Sequence, residues 1–248
     1  MCNLLAMKLF SLCVLIGGFL ASPIVANDAA LLAAERARGI LSGNTGVQWT
    51  VNVTGPKSAK FVATSQNGKI YAEVLEPADA AGRKYLAEAK GNMWFWRPGL
   101  SREVSVSKRQ RLSGDAAIGD IASTSYVEGY KLIDQQPEEY NGESGTVYTL
   151  KANSLGDTYA QIKYWVSSNG NLGKRAEFFA KSGTLLRTSK MEYENSVNGA
   201  PFLSKMEIQD GSRTITLRFT NVKVGSFPAQ MFTRDHLSGT KQGNSPRK

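Results

Sequence analysis

The chain has 248 residues, 42% hydrophobic and 21% charged, with a formal net charge of +9. That composition excludes a disordered chain, and the length suits one large all-β domain or two small ones with a substantial core. The basic balance suggests an anionic partner, either anionic lipid or an acidic protein face, beside the plainer role of keeping the chain soluble.

The first 26 residues read as an export signal. Lys8 precedes the apolar run 9–20, and the small-residue exit Ala21-Ser22-Pro23-Ile24-Val25-Ala26 follows. Cleavage is expected after Ala26, and Met7 offers a second start. The rival reading is an uncleaved membrane anchor, for which the run falls short of the roughly 20 residues a span needs. Both cysteines, Cys2 and Cys13, lie in this segment. The mature chain 27–248 is therefore expected to hold no disulfide, no thiolate metal site and no cysteine nucleophile. Export also argues against a nucleic-acid partner.

After Asn27 or Asp28 as a cap, Ala30, Ala33, Ala34, Ala37 and Leu41 recur at helical spacing, and Gly39 and Gly43 end the pattern. Beyond Gly46 the period changes to two. Val47, Trp49, Val51 and Val53 share one face of a strand that Gly55-Pro56 closes. Residues 60–65 and 69–76 read as a hairpin across Asn67-Gly68, a strong two-residue turn signal. A strand over 83–89 leads into Met93-Trp94-Phe95-Trp96. There Met93 and Phe95 point one way, and Trp94 and Trp96 the other, so both faces are apolar. Arg97-Pro98-Gly99 reverses the chain, and Val104 and Val106 resume the alternation.

The basic loop Lys108, Arg109, Arg111 follows, then a long irregular stretch over 111–129 with a helical turn expected at 116–121. Strands return over 130–135, 146–152, 159–167, 173–180, 185–193, 202–209 and 213–224. They are separated by turns such as Asn141-Gly142, Asn198-Gly199 and Asp210-Gly211. Short strands at even spacing, without a βαβ rhythm, point to a barrel or sandwich. The tail 238–248 reads as disordered.

Little catalytic chemistry is legible. His236 is the single histidine, too few for a hydrolase triad or a histidine-based metal site. Glu138, Glu139 and Glu143 cluster around Pro137 and Asn141-Gly142, where a solvated loop accounts for them. The glycines sit at hairpin turns, so neither a phosphate loop nor a dinucleotide fingerprint is present. No enzyme, cofactor or metal is expected. The tryptophans Trp49, Trp94, Trp96 and Trp165 all fall on expected strands, where they either fill a barrel or line a cavity.

Met93-Trp94-Phe95-Trp96-Arg97-Pro98-Gly99-Leu100 with Arg102 resembles the Trp- and Pro-containing hairpin of LolA-like outer-membrane lipoprotein-sorting proteins. Ser113-Gly114-Asp115 and Gly119-Asp120-Ile121 resemble that family's next loop. The segments 213–217 and 227–237 resemble its last strands. The resemblance implies a mainly β protein with a few helices, a half-open antiparallel β-barrel wrapped over helices, spanning 27–237. It also implies a non-catalytic periplasmic shuttle that holds the acyl chains of a lipoprotein or lipid in an apolar cavity. Its partners would be an inner-membrane transporter as donor and an outer-membrane acceptor. Trp49, Val51, Met93, Phe95, Tyr164 and Met206 are the expected lipid-binding lining, with the opposite set, Trp94, Trp96 and Trp165, as the alternative. Lys108, Arg109 and Arg111 are the expected partner-binding residues. The rival function is an envelope sensor or interaction module on the same fold, with a filled barrel.

Overall fold

The computed structural model describes residues 29–40, 43–89, 91–107, 110, 123–154 and 157–239. The expected export signal, the basic pair Lys108 and Arg109, Arg111 and the helical turn at 116–121 lie outside the described residues. Helix α1 (Ala29–Ala37) opens the described chain, and Gly39 ends it at a φ of +82°, which an L side chain adopts only with strain.

Fifteen described strands follow. The first group is β1 (Gly46–Thr54), β2 (Ala59–Gln66), β3 (Lys69–Glu76), β4 (Lys84–Glu88), β5 (Met93–Trp96) and β6 (Val104–Ser105). The second is β7 (Tyr130–Tyr140), β8 (Glu143–Ala152), β9 (Gln161–Ser167), β10 (Gly173–Phe179) and β11 (Leu185–Glu192). The last is β12 (Asn195–Val197), β13 (Ala200–Phe202), β14 (Lys205–Asp210) and β15 (Arg213–Gly225). A 3-10 turn over Ala229–Phe232 and a short helix α2 (Arg234–Ser238) close the described chain. Ser238 thus ends a helix rather than starting the expected tail, and 240–248 lie outside the described residues.

Thirteen strands form one antiparallel sheet, ordered β6-β5-β4-β3-β2-β1-β15-β14-β11-β10-β9-β8-β7, while β12 and β13 stand apart as a hairpin. The chain ends meet where β1 pairs with β15, so the sheet's free edges are β6 and β7. The barrel is half-open, as expected. Tight turns set the register: Asn67 and Gly68 take φ of 52° and 68°, the doubly left-handed pattern that matches strand twist.

Two elements differ from the sequence reading. The acidic cluster is not a loop, because β7 continues through Pro137 to Tyr140. Proline is tolerated there because β7 is an edge strand and loses no ladder bond on its open side. Glu138 then pairs with Arg175 across 2.6 Å, and Glu143 pairs with Lys174. The strand expected over 202–209 is broken, since Phe202 belongs to β13 and the ladder restarts at Lys205.

The concave side has two halves. Under β7 to β11 and β14, α1 fills the space, with Leu31, Ala34 and Ile40 in one cluster with Tyr164, Phe178 and Met206. Inside this packing Glu35 and Arg38 form a fully buried ion pair at 2.6 Å. Glu35 also accepts from the Tyr126 backbone N–H at 2.8 Å, and the Arg38 guanidinium lies 3.5 Å from the Tyr126 ring centre. Burial alone would lower the Arg38 pKa, but the Glu35 carboxylate beside it leads the charges that hold it above its ordinary value. Burial pushes the Tyr164 hydroxyl upward. The other half, under β1 to β5 and β15, is hollow.

Candidate functional site: an apolar cavity with a charged mouth

The hollow half encloses a cavity of about 610 Å³, within the roughly 300–1,000 Å³ range of small-molecule sites. Its wall follows from strand register. Residues facing one way on paired strands form rows across the sheet. One row runs Trp49, Ala63, Ala72, Tyr85 and Phe95 over β1 to β5. Two alanines between aromatic flanks leave the space that larger side chains would fill. A second row runs Phe219, Val51, Phe61 and Val74 over β15 and β1 to β3. Ile70, Ala87 and Met93 make a third. All but Phe95 line the cavity directly.

Burial grades along the wall. Trp49, Val51, Ala63, Ile70, Ala87 and Met93 are buried, whereas Pro56, Lys57, Ser58, Asp79 and Arg213 are exposed. The exposed lining comes from three turns at one end of the sheet, β1–β2, β3–β4 and β14–β15. The cavity therefore meets solvent at that end. Its deep end is stopped by Trp49, whose ring meets Phe202 edge-on at 5.4 Å. Gly39 has no room for a side chain there: an added Cβ would lie 2.9 Å from Phe202 and 3.3 Å from Trp49. Trp49 Nε1 is buried with no hydrogen-bond partner among the described residues.

Among the described lining residues, charge is confined to the mouth. Arg83 donates to the Asp79 carbonyl oxygen at 3.1 Å. Asp210 is held between two arginines: Arg187 Nε lies 3.3 Å from one carboxylate oxygen, and Arg213 pairs with the other. Among the described residues no group of three or more His, Cys, Asp or Glu is placed to hold a metal ion. Chemically, this is a greasy sleeve open at a polar end.

A family model described only as an uncharacterized protein matches residues 66–239. The chain belongs to that family. No curated protein matches it, but its fold is that of the LolA superfamily. A LolA superfamily protein from Nitrosomonas europaea aligns with a TM-score of 0.68 at 24% identity, over 85% of this chain and 100% of that one. A domain described as an outer-membrane lipoprotein-sorting protein, from Vibrio parahaemolyticus, gives 0.69 at 17% identity, over 84% and 97%. A DUF1329 family protein from Desulfovibrio piger gives 0.68 at 17% identity, over 84% and 98%.

Within this LolA-type sheet the residues singled out from sequence separate into three groups. Trp49, Val51 and Met93 are on the cavity wall. Phe95 sits at the end of its row and packs against Tyr85, ring centres 5.1 Å apart. Tyr164 and Met206 also face inward, but α1 and Tyr126 occupy their half. Tyr164 meets Tyr126 edge-on at 5.1 Å, and neither residue lines the cavity. The alternative set faces outward. Trp94 and Trp96 are covered by Phe227, Met231, Phe232 and Leu237 of the C-terminal segment. Trp165 packs over Gly145 and against Tyr140 on the convex side.

That C-terminal segment is fastened by Arg234, which donates to Glu103 at 2.8 Å and lies over Trp94. Burial raises the Glu103 pKa, but a backbone hydrogen bond, then the Arg234 contact, outweigh it and leave the carboxyl below its ordinary value. His236 meets Tyr71 edge-on at 5.3 Å on the same outer face, away from the cavity. Sequence reasoning missed Ala63, Ala72, Phe61 and Tyr85. Of these, Ala72 follows from Ala63 across the Asn67-Gly68 turn, because a two-residue turn fixes which residues pair; the others lie across the longer β1–β2 and β3–β4 connections, which leave the register open.

Proposed function

We propose that this protein is an exported, non-catalytic carrier that binds the acyl chains of a lipid or lipoprotein and passes them toward the outer membrane. The observation that supports this reading most is the cavity of about 610 Å³ walled by inward strand residues. A volume of that size is about twenty times the roughly 30 Å³ share of a water molecule, a group close in size to a methylene. It accommodates an acyl chain of ordinary length. Each methylene moved out of water contributes about 0.8 kcal/mol, so a chain of about sixteen carbons is held by on the order of 10 kcal/mol. Spontaneous loss to water is then slow, and release requires an acceptor that is equally apolar. That requirement is met by a donor at the inner membrane and an acceptor at the outer one. Lys108, Arg109 and Arg111 are the residues we assign to docking with those proteins.

The LolA-superfamily and lipoprotein-sorting names of two structural neighbours accord with this reading. The test is extraction of the purified protein with organic solvent, followed by titration of the delipidated protein with a fluorescent fatty acid. Co-purified acyl lipid and saturable uptake are expected. A protein that carries no lipid and takes up no probe, yet loses an envelope partner when Lys108, Arg109 and Arg111 become alanine, is an interaction module instead.

A further inference from the structure

The carrier reading says what kind of cargo the cavity holds but not how long its chain can be. The floor of the hollow answers that question, because it is built from particular side chains. Inward rows line the cavity from the mouth downward: Val53 with Leu217, Val51 with Phe219 and Phe61, then Trp49 with Ala63 and Ala72. One row deeper the register runs Val47, Ser65, Ile70, Ala87 and Met93. Of that row Ile70, Ala87 and Met93 line the cavity, whereas Val47 and Ser65 do not. Trp49 thus stops the hollow on the β1 and β2 side. Under β3 to β5 it continues for one more row and ends as an apolar toe.

Backbone hydrogen bonds fix this toe on several sides. The Glu88 N–H donates to the Asn92 carbonyl at 2.9 Å, and the Ala89 N–H to the Gly68 carbonyl at 2.8 Å, which ties the exit of β4 to the turns beside it. The Val106 N–H donates to the Met93 carbonyl at 2.9 Å. The Ser125 N–H donates to the Ala89 carbonyl at 3.3 Å, so the segment that gives Ser123 to the lining is fastened just past Ala87. A wall held in this way changes depth only when its side chains change. Ile70, Ala87 and Met93 are all buried, and none has a side chain that donates a hydrogen bond. The guest that suits them is the apolar end of a chain.

Resting on the carrier reading above, we infer that Ile70, Ala87 and Met93 seat the terminal methyl of a single acyl chain and set the longest chain that the protein takes up. The volume agrees with one chain. About 610 Å³ holds about twenty groups of roughly 30 Å³, too few for two chains of ordinary length. Each methylene buried should tighten binding about fourfold while the tail has room. The first one beyond the floor must stay in water or strain the wall, and it should add nothing.

The experiment displaces bound cis-parinaric acid from the delipidated full chain with saturated fatty acids of increasing length, each referenced to its free aqueous concentration. Affinity is expected to climb about fourfold per methylene and to level off at about 16 to 20 carbons, the range that the volume allows. Ala87→Leu adds about three methylene-sized groups to the toe and should move this break to chains about three carbons shorter, while chains too short to reach the floor bind as they do to the wild type. Met93→Ala removes a similar number of groups and should move the break about three carbons the other way. Ala87→Leu enters open apolar space rather than leaving a void, so it decides the matter if Met93→Ala does not fold. Affinity that rises without a break through about 22 carbons, or that ignores chain length, overturns the length limit and leaves the carrier standing. A break that stays at its wild-type length in Ala87→Leu, with unchanged circular dichroism, overturns the assignment to these residues. Uptake of neither the probe nor any fatty acid overturns the carrier reading and this inference together.

Discussion

Filling the hollow from its own wall is the most direct test of the proposed carrier role. Ala72 on β3 faces Ala63 on one side and Tyr85 on the other, in the row where side chains are smallest. Ala72→Phe places a six-carbon ring in that space. If the ring displaced an equal number of methylenes, the cargo would lose about 5 kcal/mol of transfer free energy at about 0.8 kcal/mol each, more than a thousandfold in affinity. A flexible chain that bends around the ring keeps part of this, so the expected outcome is a loss of at least tenfold. Fluorescent fatty-acid titration measures it, and thermal unfolding is the control. Because the ring enters vacant apolar space, the melting temperature should hold or rise. A folded Ala72→Phe protein that binds the probe with unchanged affinity would mean that acyl chains do not lie in this cavity.

Three further outcomes test the frame around the cavity. Glu35→Gln leaves the Arg38 charge buried without its carboxylate and should cost about 3–5 kcal/mol in denaturant unfolding. Replacing both residues by apolar ones of similar volume should recover much of that. Hydrogen bonds from Lys174 and Ser167 hold Glu143 below its ordinary pKa of 4.5. A depressed carboxylate stabilises the fold above its unfolded pKa and stops doing so as pH falls through the lower, folded value. Stability should therefore drop as pH falls below about 4.5, and less steeply in Glu143→Gln, by chemical denaturation at stepped pH. Gly145→Ala puts a Cβ 2.3 Å from the Trp165 ring and 2.6 Å from the Val166 carbonyl. The overpacking should cost about 1–3 kcal/mol and shift tryptophan fluorescence.

How far the sequence reveals this molecule depends on how many faces of a strand are covered. On β8, β9 and the first half of β7 only part of each outer face is buried, so these stretches were legible as strands, whereas the polar, proline-containing second half of β7 was not. On β4 and β5 both faces are apolar, Met93 and Phe95 inside and Trp94 and Trp96 outside, because Phe232 and Leu237 cover the convex side. That cover comes from residues more than 130 positions away and has no local signature. Periodicity could not say which set looked inward. The same limit explains Tyr164 and Met206. They share the inward direction with Val51, but α1 lies over their half of the sheet, and helical spacing alone shows that a helix needs a surface without showing which. The signal that does identify the hollow is smallness. Alanine on adjoining strands, at Ala63, Ala72 and Ala87, contributes little to strand propensity and less to packing. When register lines two such residues up between Trp49 and Tyr85, a close-packed interior is not the outcome. A protein that needed only stability would place valine or isoleucine there, so the alanine row marks the space that the carrier proposal assigns to an acyl chain.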